Sequence, residues 1–277
     1  MELLAPAKIN LTLAVKRRRD DGFHEIESLV CPISLYDTLE IEARDGDGLE
    51  FTCDDSTLPT DGSNLVVRAT QLFFAACRLE PRARIALSKR IPHGAGLGGG
   101  SSDAAATLLG LDEIFQTRLG LPALGAIAAE LGSDVPLFLY RSAALVSGRG
   151  EIVQPTSFPH TLPLLLIKPP FGVPTPWAYR QWKDSREIPG ISYAPQEFAW
   201  GTLRNDLERP VFEKYLFLAL LKRWLIEQPE VAGALMSGSG ATVFAVLREK
   251  EAASGLIARL RQEFGEDLWC CAAETIG

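Results

Sequence analysis

The sequence predicts an α+β protein with two domains. Its opening segments alternate apolar and polar residues at the period of half-buried strands, and later segments repeat apolar residues at helical spacing. A stretch with three prolines, residues 154–163, separates two such mixtures of strands and helices. The length of 277 residues suits about two domains of roughly 150 residues each. We therefore expect one domain over residues 1–155 and a second over residues 156–277.

The first half begins with strands. Residues 7–15 alternate, which places Lys8, Asn10 and Thr12 on one face. Turn-prone residues, among them Pro32, separate the next strands. Further strands are predicted at residues 26–33, 38–43, 49–53 and 84–88. Ser63 and Asn64 offer an N-cap for a helix over residues 65–79.

Helices dominate the middle of the chain, and the second half again mixes both element types. The predicted helices cover residues 101–115, 123–131, 212–227 and 251–264. The predicted strands of the second half cover residues 164–168, 234–237, 242–247 and 268–273. Residues 169–195 are expected to form a connection rich in loops.

The most informative segment is a glycine and serine loop between a predicted strand and a predicted helix. Five of the seven residues from Gly94 to Gly100 are glycine, and Ser101 and Ser102 follow. Glycine reaches positive φ without steric cost, so successive N–H groups can turn toward an anion. The N-terminus of the next helix adds unsatisfied donors. The loop therefore predicts a phosphate site, and a flexible connector is the less favoured alternative.

Several common catalytic patterns do not fit. The glycines match the dinucleotide fingerprint, but about forty residues after them are predicted as helices rather than as the next strand of a Rossmann unit. No Lys-Ser or Lys-Thr follows the glycines, which excludes a P-loop. The chain has three histidines and no Gly-x-Ser-x-Gly elbow, which disfavours a zinc protease or a serine hydrolase.

Composition limits the partners and the compartment. The net charge of −7 disfavours nucleic acid, and the basic residues 16–19 are expected to form a solvated hairpin turn. The apolar runs are too short to span a membrane, and the N-terminus shows no export signal. Five scattered or adjacent cysteines encode neither a disulfide framework nor a zinc knuckle. We therefore expect a cytoplasmic protein that binds neither nucleic acid nor a membrane.

Three segments resemble the motifs of the galactokinase, homoserine kinase, mevalonate kinase and phosphomevalonate kinase (GHMP) superfamily. They are Pro-Ala-Lys-Ile-Asn-Leu at residues 6–11, the glycine and serine loop, and Met-Ser-Gly-Ser-Gly-Ala at residues 236–241. The resemblance spans the chain. It implies an N-terminal domain like ribosomal protein S5 domain 2, a C-terminal ferredoxin-like domain and an active site in the cleft.

Four further segments resemble one branch of this superfamily. They are Asp-Gly-Phe-His-Glu at residues 21–25, Gly-Ser-Asp-Val-Pro-Leu-Phe at 132–138, Pro-Thr-Pro at 174–176 and Asn-Asp-Leu-Glu at 205–208. The resemblance implies a small-molecule substrate: ATP-dependent phosphorylation of the 2-hydroxyl of 4-diphosphocytidyl-2-C-methyl-D-erythritol, in the non-mevalonate route to isoprenoid precursors. Mg²⁺ should accompany ATP, with ligands that the sequence does not identify.

The same resemblance implies roles for individual residues. Asp134 would accept the proton of the substrate hydroxyl, and Lys8 would keep this carboxylate ionised and steady the developing charge. ATP would contact Asn64 and the loop residues Pro92, His93, Gly94, Ala95, Gly96, Leu97, Gly98, Gly99, Gly100, Ser101 and Ser102. The acceptor would contact Asn10, Phe23, His24, Tyr179, Ser239 and Gly240. Phe23 stands where the family more often has tyrosine.

Plainer interpretations compete with each of these roles. Lys8 could be a surface lysine, Asp134 only a helix cap, and residues 237–240 a simple turn. The aromatic residues at positions 23 and 179 could serve packing alone. For the whole chain, the alternatives are a related kinase of homoserine or a mevalonate derivative, and a nucleotide-binding regulator without turnover.

Overall fold

The computed structural model describes residues 1–46 and 48–276 and contains two β-sheets with helices packed against them. The first, eight-stranded sheet consists of β1 (Glu2–Arg18), β2 (His24–Ala43), β3 (Gly48–Cys53), β4 (Arg82–Ser88), β5 (Ala144–Gly148), β6 (Ile152–Pro155), β8 (Gln196–Phe198) and β9 (Gly201–Asn205). Its main order is β3-β4-β2-β1-β9-β8, and the β5–β6 hairpin pairs with the first part of β2. The predicted α+β class is confirmed.

Strands β1 and β2 form a long antiparallel hairpin at the centre of this sheet. Their register shifts at three places, one of them between Asn10 and Thr12. Such bulges bend the strands and redirect side chains. The basic run at residues 16–19 lies at the turn end of the hairpin, and Lys16, Arg17 and Arg18 are exposed, as the sequence predicts.

The helices of the N-terminal half pack against this sheet. They are α1 (Leu65–Cys77), α2 (Gly99–Ile114), α3 (Gly120–Leu131) and α4 (Val135–Phe138). Helix α2 approaches the sheet closely at Gly110, where a Cβ would lie 2.5 Å from Leu3 Cδ1 and 2.8 Å from Ile41 Cδ1. This close packing holds α2 against the sheet, and the helix begins directly after the glycine loop.

The second sheet has four antiparallel strands in the order β10-β11-β7-β12. The strands are β7 (Pro163–Lys168), β10 (Val231–Met236), β11 (Val243–Leu247) and β12 (Trp269–Glu274). The helices of this half are α5 (Thr175–Gln181), α6 (Glu208–Lys214), α7 (Leu216–Ile226) and α8 (Ala253–Phe264). Strand order and connections are those of a ferredoxin-like β-α-β-β-α-β unit.

The prediction of two separate strands at residues 26–33 and 38–43 is wrong, because β2 continues through Pro32. Pro32 lies opposite Lys8, whose N–H donates to Leu97 O rather than to β2. The carbonyl of Pro32 likewise points away from β1 and accepts from Ile276 N. The N–H that proline lacks is therefore not needed for pairing with β1, and the strand is not interrupted.

Other differences concern short elements. Helix α5 lies inside the predicted loop at 169–195, and its first turn contains Pro176, a position that suits proline. The single helix predicted at 212–227 is two helices separated at Tyr215, and the first begins earlier, at Glu208. The sequence analysis did not predict β5, β6, β8 or β9.

The structure also bears on the expectations about membrane spans, disulfides and the domain boundary. Across residues 1–46 and 48–276, no helix combines the length and hydropathy needed to cross a bilayer. All five cysteines are free thiols. The boundary at residues 155 and 156 stays a prediction: β6 ends at Pro155 in the first sheet and β7 begins at Pro163 in the second, yet β8 and β9 return to the first.

Candidate active site

A cavity of about 820 Å³ brings together most of the residues that the sequence analysis selected. Those that line it are Lys8, Asn10, Phe23, His24, Asn64, Pro92, His93, Gly94, Ala95, Gly96, Gly98, Gly99, Gly100, Ser101, Asp134, Tyr179 and Ser239. Leu97, Ser102 and Gly240 do not line it. Leu97 packs in the apolar core, and Ser102 is buried. The lining residues come from both halves of the chain.

Lys8 and Asp134 meet on the wall of this cavity. Lys8 is 5% exposed, so it is not a surface lysine, and its Nζ lies 3.8 Å from Asp134 Oδ2. Asp134 precedes α4, but its carboxylate makes no capping hydrogen bond and remains about half exposed. Burial lowers the pKa of Lys8, and the charge of Asp134 opposes this shift. A buried cation therefore faces a carboxylate that is free to bind a proton or a ligand.

A chain of hydrogen bonds orients the side chain of Lys8. Its Nζ donates to Asn10 Oδ1 at 2.7 Å, and Asn10 Nδ2 donates to Ser28 Oγ at 2.8 Å. Ser28 in turn donates to the carbonyl of Thr12. Asn10 thus has both ends of its amide engaged, which fixes its orientation and that of the ammonium group. All of these residues lie on β1 and β2.

The glycine loop has the backbone geometry that its composition predicts. Gly94, Gly96 and Gly98 have φ values of 63°, 75° and 73°, in the left-handed region that favours glycine. Gly98 is the N-cap of α2 and supplies no side-chain cap, so the first N–H groups of the helix have no side-chain acceptor there. Such a helix start is suited to binding phosphate.

A second loop, residues 237–240, closes against the glycine loop. Ser237 Oγ donates to Gly96 O at 3.0 Å, and Thr242 N donates to Ala95 O at 3.1 Å. A Cβ on Gly96 would lie 2.4 Å from Ser237 O, so the contact requires glycine. Residues 237–240 are therefore not a simple exposed turn between two strands.

Sequence reasoning missed two residues that hold this second loop. Asn205 Nδ2 donates to Met236 O at 2.6 Å and to Gly238 O at 2.7 Å. Glu208 is 1% exposed, accepts from Met236 N at 2.9 Å and forms a buried ion pair with Lys222. Their signal in the sequence is the Asn-Asp-Leu-Glu segment at residues 205–208, one of the segments that resemble the superfamily branch.

A second buried charge cluster borders the glycine loop and was also missed. Lys89 bonds to both Asp37 and Asp103, the latter at 2.8 Å. Asp103 Oδ1 has no hydrogen-bond partner among the described residues. Burial raises the pKa of Asp103 to about 7; the Lys89 charge opposes this shift and the Asp37 carboxylate adds to it. Nothing in the residue spacing indicates that these three side chains meet.

Asn64 lies on the cavity wall with its amide already engaged. Its Oδ1 accepts from Val66 N at 2.9 Å, as the predicted N-cap of α1, and its Nδ2 donates to Pro59 O at 2.8 Å. Asn64 therefore fixes the segment that precedes α1 where this segment borders the cavity.

Aromatic residues form another part of the wall. The His24 and Tyr179 rings stack with centroids 5.7 Å apart, and Trp182 contacts His24 edge-on. Phe23 is 49% exposed and lies under the Arg149 guanidinium. Burial and the charge of Arg18 lower the pKa of His24, which favours a neutral imidazole that can both donate and accept a hydrogen bond.

Comparison with known proteins gives a consistent result. The GHMP kinases N terminal domain family matches residues 64–142, and the GHMP kinases C terminal family matches residues 196–267. A 4-diphosphocytidyl-2-C-methyl-D-erythritol kinase from Methylacidiphilum infernorum is 44% identical over 96% of this chain and 93% of its own length.

Solved structures agree in fold. A crystal structure of 4-(cytidine 5'-diphospho)-2C-methyl-D-erythritol kinase is 36% identical, has a TM-score of 0.82 and covers all of both chains. A homoserine kinase from Cytophaga hutchinsonii is only 18% identical, with a TM-score of 0.68 over all of this chain and 94% of its own. The homoserine kinase is therefore similar in fold alone, whereas the 4-(cytidine 5'-diphospho)-2C-methyl-D-erythritol kinase is similar in both fold and sequence.

Proposed function

The chain belongs to the 4-diphosphocytidyl-2-C-methyl-D-erythritol kinase family of GHMP kinases, and we propose that it transfers the γ-phosphoryl group of ATP to the 2-hydroxyl of this nucleotide-linked sugar alcohol. The step belongs to the non-mevalonate route to isoprenoid precursors. One observation carries the proposal: the Lys8–Asp134 pair lies in the cavity that the glycine loop and the aromatic residues also line.

Asp134 is the proton acceptor in this proposal. As the hydroxyl oxygen bonds to the γ-phosphorus, its proton passes to the carboxylate and the bond to the β-phosphate oxygen breaks, which releases ADP. The Lys8 ammonium, held by Asn10, lies 3.8 Å from the Asp134 carboxylate and offsets negative charge as it develops. Because phosphoryl transfer depends chiefly on positioning and electrostatics, few other groups are needed.

The triphosphate lies along the glycine loop in this proposal. The left-handed glycines expose backbone N–H groups, and α2 contributes its N-terminal donors and the positive end of its dipole. The described residues contain no group of three His, Cys, Asp or Glu side chains that could hold a metal ion alone. Mg²⁺ would accompany ATP as a complex with its phosphates, since Mg²⁺ keeps several waters and few protein ligands.

The acceptor nucleoside occupies the aromatic part of the cavity. We propose that cytosine lies between Phe23 and Tyr179 and that His24 hydrogen-bonds its edge. In support, His24 contacts Tyr179 directly, and all three residues line the cavity that contains Asp134. Five free thiols suit a reducing compartment, and we place the reaction in the cytoplasm.

Phosphoryl transfer to alternative acceptors tests the activity. ADP formation is followed with 4-diphosphocytidyl-2-C-methyl-D-erythritol, homoserine and mevalonate, with the Asp134→Asn protein as the matched control. We expect turnover with the cytidylyl compound alone and little with the variant. Turnover with homoserine or mevalonate would indicate a related kinase, and nucleotide binding without turnover would indicate a regulator.

Acceptor recognition has its own test. Base stacking is worth about 1–3 kcal/mol, so Tyr179→Ala should raise the acceptor KM about tenfold or more and leave the KM for ATP unchanged. His24→Ala should reduce the preference for the cytidine acceptor over its uridine analogue, because the imidazole contacts the edge that differs. An unchanged preference in His24→Ala would refute the role proposed for this histidine.

A further inference from the structure

Three arginines line the same cavity, and none has a role in the reaction described above. They are Arg18, Arg149 and Arg180. Each lies beside one of the aromatic residues that are proposed to bind cytosine: Arg18 pairs with His24 across the β1–β2 hairpin, the Arg149 guanidinium lies 5.1 Å above the Phe23 ring, and Arg180 follows Tyr179 in α5. We call these three residues the arginine rim.

The charges of this rim are only partly balanced by acidic groups of the protein. The chain carries a net charge of −7, yet within residues 1–46 and 48–276 neither Arg18 nor Arg180 forms an ion pair. Arg149 has only a long contact, 3.9 Å from its Nε to Glu151 Oε1. Unneutralised guanidinium groups around a concave site create a local positive potential and attract an anionic ligand.

The carboxylates of the cavity wall have other partners. Asp134 faces Lys8, Asp103 bonds to Lys89, and Asp21 accepts from Arg19 Nε at 3.1 Å. The charge of Asp21 also acts on Arg149, but its side-chain hydrogen bond comes from Arg19, and Arg18 and Arg180 have no carboxylate partner among the described residues. The excess positive charge is therefore a feature of the aromatic part of the cavity.

The backbone holds Arg149 between the aromatic residues and Asp134. Its own N–H donates to Glu151 Oε2 at 2.7 Å, which fixes the β5–β6 turn. The next residue, Gly150, has φ 119°, and a Cβ there would lie 3.3 Å from Ser133 Cβ and 3.8 Å from Asp134 Oδ1. One end of this turn thus lies close to the proposed base, while the Arg149 guanidinium lies above Phe23.

We propose that the arginine rim, with Arg149 as its central member, binds the diphosphate of the acceptor. The inference rests on the proposed function, since it takes the cytidine diphosphate compound as the ligand. In that compound the diphosphate connects the cytidine, placed at Phe23 and Tyr179, with the sugar alcohol whose hydroxyl reacts at Asp134. Guanidinium groups match phosphate oxygens with paired N–H donors.

The test compares the binding of CDP with that of cytidine by calorimetry, which requires no turnover. The Arg149→Met protein is compared with the unchanged protein and with Arg17→Met, a control that alters an exposed arginine outside the cavity. Since a hydrogen bond to a charged group is worth about 1.5–3 kcal/mol, Arg149→Met should reduce the ratio of CDP to cytidine affinity about 10- to 100-fold. Cytidine affinity and the KM for ATP should stay within about twofold, a range that corresponds to less than 0.5 kcal/mol.

Three results would overturn the proposal. If CDP and cytidine weaken equally, Arg149 supports the base and not the diphosphate. If ADP binding weakens while the ratio is unchanged, the arginine serves the ATP phosphates. If Arg149→Met and Arg17→Met behave alike, the effect is one of general charge.

Failure of the proposed function has a different signature. The unchanged protein would then bind neither CDP nor cytidine and would not phosphorylate the cytidylyl acceptor, which overturns both inferences together. Arg149→Lys supplies a further check on geometry. It keeps the charge but loses the paired donors, so its ratio should lie between those of the unchanged protein and Arg149→Met.

Discussion

Substitution of Gly96 by alanine should separate the two glycine loops of the active site. An added Cβ would lie 2.4 Å from Ser237 O and 2.9 Å from Gly240 O, both backbone atoms that no side-chain rotation can move. Because ordinary contact for a Cβ begins near 3.4 Å, the loops must part by about 1 Å. The left-handed φ of 75° adds a conformational cost of about 1–2 kcal/mol for alanine.

Gly190 supplies a control for the conformational cost. It also has a left-handed φ, of 80°, but a Cβ there meets nothing within 4 Å, and Gly190 lies outside the cavity. Gly190→Ala should therefore lose stability only through the backbone strain, and the lower conformational entropy of its unfolded chain should offset part of this loss. Overpacking and the loss of the bonds to Gly96 O and Ala95 O should make Gly96→Ala less stable than Gly190→Ala by about 2–4 kcal/mol.

Urea unfolding and steady-state kinetics measure the two consequences. Since a 1 Å displacement of positioning groups can reduce the rate about 100-fold, kcat/KM for ATP should fall by about that factor in Gly96→Ala and stay unchanged in Gly190→Ala. Equal unfolding midpoints and equal kcat/KM in the two variants would refute the claim that the loops are held together at Gly96.

Three further outcomes follow from the buried charges. Asp134→Asn and Lys8→Met should each lower kcat about 10²- to 10⁴-fold, and the double variant should lose far less than the product; a fully multiplicative loss would indicate independent roles. The raised pKa of Asp103 means that the folded state binds its proton more tightly than the unfolded state, so its contribution to stability is full below about pH 4 and lost by about pH 7. The unfolding free energy of the protein relative to Asp103→Asn should therefore decrease over that range in urea titrations, and a constant difference would contradict the shift. Lys222→Met should destabilise the fold by about 3–5 kcal/mol because it leaves Glu208 buried and unpaired, while Glu208→Gln with Lys222→Met should cost less; equal unfolding midpoints for the two would contradict this.

Periodicity and turn chemistry predicted most of the longer elements, although the longest, β2, was predicted as two strands. The alternation around Lys8 predicted β1, and the glycine loop predicted the start of α2, because both signals are local. The missed elements are short and depend on distant partners. Strand β9 pairs with β1 through only Thr12–Arg204 and Leu13–Asn205, which no local pattern shows. By contrast, the β5–β6 hairpin carries Gly148 and Gly150 at its turn, a signal that the sequence did contain.

Sequence motifs predicted the residues whose side chains are proposed to take part in the reaction, but not the residues that hold the surrounding backbone in place. Lys8 and Asp134 were selected by motif, but their 3.8 Å separation depends on where α4 lies relative to β1. Asn205 and Glu208 act through the backbone of Met236, 28 or more residues away in sequence. Support of this kind has no sequence periodicity, because it depends on which buried backbone groups still need a partner.

The structure also changes the reason for the glycines. Their density predicted a backbone whose N–H groups turn toward an anion, yet most of these glycines are also packed closely against protein atoms. A Cβ on Gly98 would lie 2.8 Å from Phe138 Cζ and 3.1 Å from Lys8 Cγ, and one on Gly99 would lie 2.9 Å from Ile91 Cγ2. Of the five glycines of this loop, only Gly94 has no atom within 4 Å of the position that a Cβ would take. Valine at Gly98 would therefore disturb the packing of Lys8 as well as any phosphate, so loss of ATP binding in that variant would not isolate the loop's role. Glycine here allows Lys8, the helix and the second loop to pack together, and the left-handed backbone that results suits the phosphate binding proposed for this loop.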